Sequence, residues 1–165
     1  MNEPRRRPAW RLFAVTAILV TVFDQVTKIL AVNNIDPGRA INIIPGFFDL
    51  VMVHNYGVTF GMFNRESSGI QTLVFLVLSL AALGLVFFIF AKTAGKNSLF
   101  SFALSLVAGG AAGNIIDRAR LGFVVDFIDL YVGNWHWPAF NVADSAISVG
   151  VTILLVHIVL GKDPL

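Results

Sequence analysis

The residues able to do chemistry in this chain are carboxylates and the amides and cations around them. Asp24, Asp117, Asp126, Asp129 and Asp144 occur with Lys28, Arg118, Asn55, Asn114 and Asn141. The chain has no cysteine, which excludes disulfides, a thiol nucleophile and cysteine-ligated metal. No serine has a histidine or lysine placed to activate it; Ser145 follows Asp144, but side chains at i and i+1 of a helix point apart. His54, His136 and His157 lack a metal-binding spacing such as His-Glu-x-x-His. Carboxylates remain. Two aspartates in contact cannot both readily ionise, so they share a proton. One serves as a base that activates water while the other, protonated, polarises a scissile carbonyl. Such a pair hydrolyses an amide without a metal. Two other chemistries stay open at this point: a lipid phosphotransferase holding Mg²⁺ through carboxylates and phosphate oxygens, and a transporter with Asp24 and Asp144 as proton relays.

The elements that must position these residues are membrane helices. Apolar residues make up 56% of the 165 and charged residues only 13%, about half the charged share of an ordinary soluble domain. Mean hydropathy is +0.77, so the exterior is expected to face lipid. The net charge is +2 and the basic residues are dispersed, which argues against a nucleic-acid partner. Apolar stretches of roughly 20 residues predict spans over residues 12–32, 70–91, 98–116 and 140–160 of a single 1–165 domain. The first is the hardest, because its uncharged run ends at Phe23 before Asp24, Gln25 and Lys28. A removable signal peptide would show small residues at a cleavage site there; Asp24-Gln25-Val26 stands instead. A retained span with acid and base at i and i+4 on one face is the better reading. In the third span, Ala108-Gly109-Gly110-Ala111-Ala112-Gly113 is small enough to let neighbouring helices approach closely.

Lysine and arginine in the flanks set orientation. Arg5, Arg6, Arg7, Arg11, Lys92, Lys96 and Lys162 lie on one side; Arg39, Arg65, Arg118 and Arg120 lie on the other. That bias predicts both termini in the cytoplasm and the segments 33–69 and 117–139 outside. Residues 40–63, rich in Ile, Val, Phe and Tyr with turn signals at Pro45-Gly46 and Gly57, read as short strands or a hairpin. Trp135, His136, Trp137 and Phe140 flank the fourth span, where an aromatic belt belongs.

Helix rise brings the polar residues to one depth. At about 1.5 Å per residue, Asp24 lies roughly 18 Å beyond Leu12, in the outer half of a core about 30 Å thick. Asp144 lies only about 6 Å below the outer edge by the same rise. Asn114 and Asp117 end the third span, Asp126 and Asp129 occupy the outer loop after it, and Asn55 sits in the strand-like segment. Ionisable groups inside spans face a bundle interior or water cavity and mark function. Bland readings stand beside this one. Asp144 pairs with Arg118, Lys28 merely neutralises Asp24, Asn114 and Asn141 are interhelical hydrogen-bond glue, Asp129 is a solvated loop charge, and His157 is a polar residue near the inner end of the fourth span.

Five ordered motifs narrow the choice. They are Asp24-Gln25-Val26-Thr27-Lys28, the run His54-Asn55-Tyr56-Gly57-Val58-Thr59-Phe60, then Gly113-Asn114-Ile115-Ile116-Asp117-Arg118, Val124-Val125-Asp126-Phe127, and Phe140-Asn141-Val142-Ala143-Asp144-Ser145. Together they resemble bacterial lipoprotein signal peptidase, also called signal peptidase II, over nearly the whole chain. Val58-Thr59 departs from the Ala-Ala often found there. The resemblance implies an all-α membrane fold of four transmembrane helices with a small extracytoplasmic β-cradle. It implies an aspartic endopeptidase of the bacterial inner membrane, without cofactor or metal, working as a monomer near the outer leaflet. Its partners would be membrane lipid and diacylglyceryl-modified prolipoproteins, cut just before the lipidated cysteine. Asp126 and Asp144 match the family's catalytic dyad. Asn55, Asn114, Arg118 and Asn141 match residues that line the site, and Asp24, Lys28 and Asp117 match other recurring polar positions. The repeated Asp-x-x-Asp and Gly-Ala-Arg pattern of the phosphotransferase is absent, Asp126-Phe127-Ile128-Asp129 being the sole near match. Nor does the sequence show the inverted repeats or paired broken helices of a transporter.

Overall fold

In the computed structural model, which describes residues 3–57 and 69–161 with side chains from Ala9 onward, the apolar runs are helices. The order is α1 (Glu3–Asn34), β1 (Ile41–Ile44), β2 (Phe48–Asn55), α2 (Gly69–Thr93), α3 (Ser98–Leu121), β3 (Val124–Val132), β4 (Trp135–His136) and α4 (Val142–Val159). All four helices are long and apolar enough to cross a membrane. Val58 to Phe63, Arg65, Lys162 and Leu165 lie outside the described residues.

Large apolar side chains such as Ile18 and Phe23 on α1, Leu73 and Phe88 on α2, and Leu155 and Ile158 on α4 are exposed. In water that surface would be costly; against lipid it is the ordinary exterior. The hub is α3. In its apolar stretch 56% of residues are buried, against 17% in α1 and α4 and 11% in α2. The small-residue run explains this, because with no side chain its glycines admit neighbouring backbones. A Cβ on Gly109 would lie 2.7 Å from the Ala17 carbonyl of α1. One on Gly110 would strike the Ala143 carbonyl of α4, and one on Gly113 the Asp24 carboxylate. From the other side, a Cβ on Gly150 of α4 would lie 2.7 Å from the Ala103 carbonyl. Near the N-terminal end of α1 Phe13 stacks on Phe90 with ring centroids 4.1 Å apart, and Trp10 meets Phe90 edge-on at 4.7 Å. These rings join α1 to α2.

The strands form one antiparallel sheet in the order β1-β2-β3-β4. Two irregularities mark its pairing. Pairing of β2 with β3 shifts register between Leu50 and Val53, and the backbone N–H groups of both Phe127 and Ile128 donate to the Phe140 carbonyl. Phe127 and Ile128, with Leu50 and Met52, pack against Ala31 and Ile35 at the C-terminal end of α1. Val53, the register partner of Asp126, and Asp129 line one groove beside the sheet.

The structure corrects several expectations. The segment after the third span is strand, not loop, because its Val-Val-Asp-Phe run is buried and hydrogen-bonded along β2. Asp129 is no solvated loop charge. Its side chain is only 14% exposed and lies 2.8 Å from His136 Nδ1. Helix α1 begins at Glu3, ahead of Leu12, and α3 runs on past Ile116 to Leu121, so Asp117 and Arg118 are helical. A left-handed Gly122 ends α3, its N–H donating to the Arg118 carbonyl, as such C-terminal glycines commonly do.

Candidate active site

Asp126 and Asp144 come from different elements and meet at Asn141. Asn141 is the N-cap of α4: its Oδ1 accepts the Asp144 N–H at 2.9 Å, and Asp144 Oδ2 accepts the Asn141 N–H at 3.3 Å. This reciprocal capping box pins the first turn, an arrangement worth about 1 kcal/mol in soluble helices. With its oxygen committed, the Asn141 amide aims Nδ2 at Asp126 Oδ1, 2.7 Å away. Asn55 at the end of β2 works alike. Its Oδ1 accepts the Gly57 N–H at 2.8 Å, where the chain turns with φ +95°, and its Nδ2 donates to Asp126 Oδ2 at 2.8 Å. Asn114 Nδ2 of α3 donates to Asp144 Oδ1 at 2.8 Å. Asp126 is 1% exposed. Burial first, then opposed by the Asn55 amide and reinforced by the charge of Asp144, pushes its carboxyl up from 3.8 to about 7. A carboxyl that holds a proton near neutrality beside a second carboxylate is what acid–base hydrolysis of an amide requires.

Behind this pair lies a buried ionic cluster joining four elements, α1, α3, α4 and β3. Lys28 Nζ sits 2.9 Å from Asp24 Oδ2, 2.8 Å from Asp117 Oδ2 and 3.0 Å from Asn114 Oδ1, using its three N–H donors. Asp24 Oδ1 accepts the Ala143 N–H of α4 at 2.9 Å, and Asp117 Oδ2 accepts the Val125 N–H of β3 at 3.1 Å. Each acid thus braces the backbone next to one member of the Asp126–Asp144 pair. The reading of Lys28 as partner of Asp24 holds and is incomplete, since Asp117 shares it equally.

Arg118 does not pair with Asp144. No ion pair within 4 Å joins them among the described residues; the guanidinium instead reaches Ser79 Oγ at 3.5 Å and lies over the Phe75 ring at 6.0 Å, both on α2. Its charge still acts on Asp144, Asp126 and Asp117. Asn114 and Asn141 are more than interhelical glue, because each contacts a carboxylate of the pair. His157 is buried in the last turn of α4, beside Asn97 at 3.2 Å. Sequence reasoning assigned no role to Gln25. Its Nε2 donates to Asp117 Oδ1 at 2.8 Å and to the Gly113 carbonyl at 3.2 Å. An uncharged amide in mid-span was the available signal. Among the described residues no group of three or more His, Asp or Glu side chains could hold a metal ion.

Residues 16–160 match the family model for signal peptidase (SPase) II. The chain is similar to the lipoprotein signal peptidase of Desulforapulum autotrophicum, with 40% identity over 154 residues, 93% of this chain and 94% of that protein. It is 40% identical over 153 residues to that of Geobacter sulfurreducens, covering 93% and 94%, and 45% identical over 139 residues to that of Paraburkholderia phymatum, covering 84% and 82%. A bacterial membrane enzyme solved by the in meso method at 2.3 Å resolution superposes with TM-score 0.80 at 32% identity, over 92% of this chain and 89% of that one.

Proposed function

The chain belongs to the signal peptidase II family, and on that premise we propose that Asp126 and Asp144 are its catalytic dyad. It is an integral membrane aspartic endopeptidase that removes signal peptides from prolipoproteins. The observation that carries the assignment is the Asn141 side chain, bonded to Asp126 through Nδ2 and to the Asp144 backbone through Oδ1. One residue thereby registers two carboxylates brought from separate elements.

In the reaction a water lies between the carboxyls, which hold one proton between them. The ionised member removes a proton from the water as its oxygen attacks the scissile carbonyl carbon, and the protonated member donates to the carbonyl oxygen. Collapse of the tetrahedral intermediate breaks the C–N bond. The leaving amine takes the proton held by the dyad, and a hydroxyl of the intermediate gives its proton to the other carboxylate as the product carboxyl group forms, so the dyad is left with one again. Asn55, Asn114 and Asn141 hold the carboxyls in place, Arg118 offers a cation to the substrate's polar groups, and Asp24, Lys28 and Asp117 brace the backbone beneath. No metal enters any step.

The substrate bond precedes a cysteine carrying diacylglycerol, whose chains rest in the outer leaflet of the bacterial inner membrane while the peptide passes under the sheet. Both termini are cytoplasmic, and residues 1–165 act as one peptidase unit and as a monomer. The charge bias of the flanks supports this orientation. The test is cleavage of a diacylglyceryl-modified peptide by purified protein in detergent, read by gel shift with and without EDTA. Turnover nearly unchanged by EDTA is expected. Activity lost to EDTA and restored by Mg²⁺ or Zn²⁺ would overturn the two-carboxylate mechanism.

A further inference from the structure

Beside the sheet lies a groove of about 750 Å³ lined by Val51, Val53, Asp129, Trp135, His136 and Trp137. Volume in this range is that of a ligand site. Both of its walls run into the catalytic pair. Val53 stands opposite Asp126 in register, and the other wall follows Trp137-Pro138-Ala139 to Phe140 and the bridging Asn141.

The far end of the groove has a definite chemistry. Asp129 stands opposite Asp49 across the ladder, so two carboxylates face each other. His136 Nδ1 lies 2.8 Å from Asp129 Oδ2 and 3.1 Å from Oδ1, and its ring stacks on Tyr131 at 4.9 Å. One imidazole N–H satisfies a fraction of a carboxylate that accepts about four hydrogen bonds. Trp135 and Trp137 are 62% and 55% exposed, with ring centroids 5.9 Å apart, and indole faces attract cations. An anionic group that lines the same groove as two exposed indoles complements a Lys or Arg side chain.

We propose that this groove is a specificity site for the polypeptide just downstream of the cut, and that Asp129 with Trp135 and Trp137 selects a basic side chain there. The proposal rests on the dyad assignment and deepens it. The upstream signal peptide is an apolar membrane segment and does not match this charged lining; the downstream chain is the part that leaves the bilayer. Asp129 lies three positions along β3 from Asp126, roughly 10 Å at strand rise, and an extended substrate covers that distance in about three residues.

The test uses the full-length enzyme in detergent and diacylglyceryl peptides that differ only in Lys, Ala or Glu at the third position after the modified cysteine. The parent is expected to favour Lys over Glu in kcat/KM by about five-fold or more, as a partly exposed ion pair allows. Asp129→Asn should bring that ratio near one, and Asp129→Lys should invert it, a reversal that simple loss of structure would not produce. A parental ratio near one, or a ratio unmoved in Asp129→Asn, overturns the proposal. So does sensitivity to the same Lys-to-Glu swap placed upstream of the cysteine, which would seat the signal peptide in the groove. If Asp126→Asn cleaves every peptide as well as the parent, the dyad assignment falls and takes the groove's role with it; if Asp126→Asn is dead and the parent shows no downstream preference, only the groove proposal falls.

Discussion

The ammonium of Lys28 lies 2.8 Å from the Asp117 carboxylate, an ion pair between α1 and α3 as tight as the one Lys28 makes along its own helix with Asp24. All three side chains are buried. Removing one partner of such a set leaves uncompensated charge, at a cost of about 3–5 kcal/mol. Lys28→Met should therefore lower thermal stability in detergent sharply. Asp24→Leu with Lys28→Met should recover only part of it, because Asp117 stays unpaired, and adding Asp117→Asn should recover more. Full recovery in the double variant would show that the Asp117 pair contributes nothing.

The glycines of α3 give a packing test. Gly110→Ala would push a methyl into the Ala143 carbonyl, one residue from Asp144, and overpacking of this kind costs about 1–3 kcal/mol. Lower stability and slower cleavage are expected together. Gly84→Ala is the matched control, since nothing lies within 4 Å of its Cβ position. That variant should be neutral or slightly stabilised, as Gly-to-Ala changes inside helices are. Equal losses in both variants would contradict close approach of α3 to α4.

Asp126 predicts a pH signature. Its carboxyl, pushed up from 3.8 to about 7 by burial, keeps in the folded protein a proton that the unfolded chain releases near pH 4. Between those values the folded state binds more protons, so the Asp126 contribution to stability falls as pH rises and is flat above about 7. The slope reaches at most about 1.4 kcal/mol per pH unit, and Asp126→Asn should remove it. Turnover should follow a bell, with the basic limb near 7 where the shared proton is lost; the limbs belong to the pair and not to one residue. A parental stability curve unchanged by Asp126→Asn across this window would contradict the raised carboxyl.

Much of this architecture is legible in the sequence because membrane helices obey a simple rule of length and polarity. Asp24, Asn114 and Asp144 fall at one depth by counting residues alone, and the structure brings Asn114 and Asp144 into contact. The Asp24–Lys28 pair is local, so the i,i+4 rule finds it. The Lys28–Asp117 pair depends on how two helices are rotated against each other, which no local pattern states. Asp129 was misread for a related reason. The segment after the third span reads as a loop because its polar residues follow a helix end, whereas pairing with the distant β2 makes it strand β3 and seats Asp129 against His136. A structural pair of Arg118 with Asp144 is the alternative that charge alone offers, whereas the long Arg118 side chain finds Ser79 and Phe75.

Topology can be read directly. With four helices and the excess of Lys and Arg on the side of the termini, a reporter fused after Leu165 should be active only in the cytoplasm. Activity of a fusion outside that membrane would mean that one of the helices does not cross, with α1 and its Asp24–Lys28 pair the first suspect.

The dyad makes the most exacting prediction. Asp→Asn preserves size but turns one carboxylate oxygen into an amide donor, so each variant keeps one of the two hydrogen bonds its carboxylate accepts while it loses proton uptake and release. Asp126→Asn and Asp144→Asn should each reduce cleavage by roughly 10²–10⁴-fold or more, with the protein still folded and still binding substrate. Because the two carboxyls share one proton, the loss of either disables the other, and the double variant should be scarcely worse than each single one, as for other catalytic groups that act as a unit. Asp117→Asn is the control. It stands behind the site, accepting from Val125 N–H and Lys28, and its loss should act through stability and positioning, with residual turnover well above that of the dyad variants. Multiplicative losses in the double variant would mean that Asp126 and Asp144 work independently. A dead Asp117→Asn beside an active Asp126→Asn would make Asp117 the partner of Asp144.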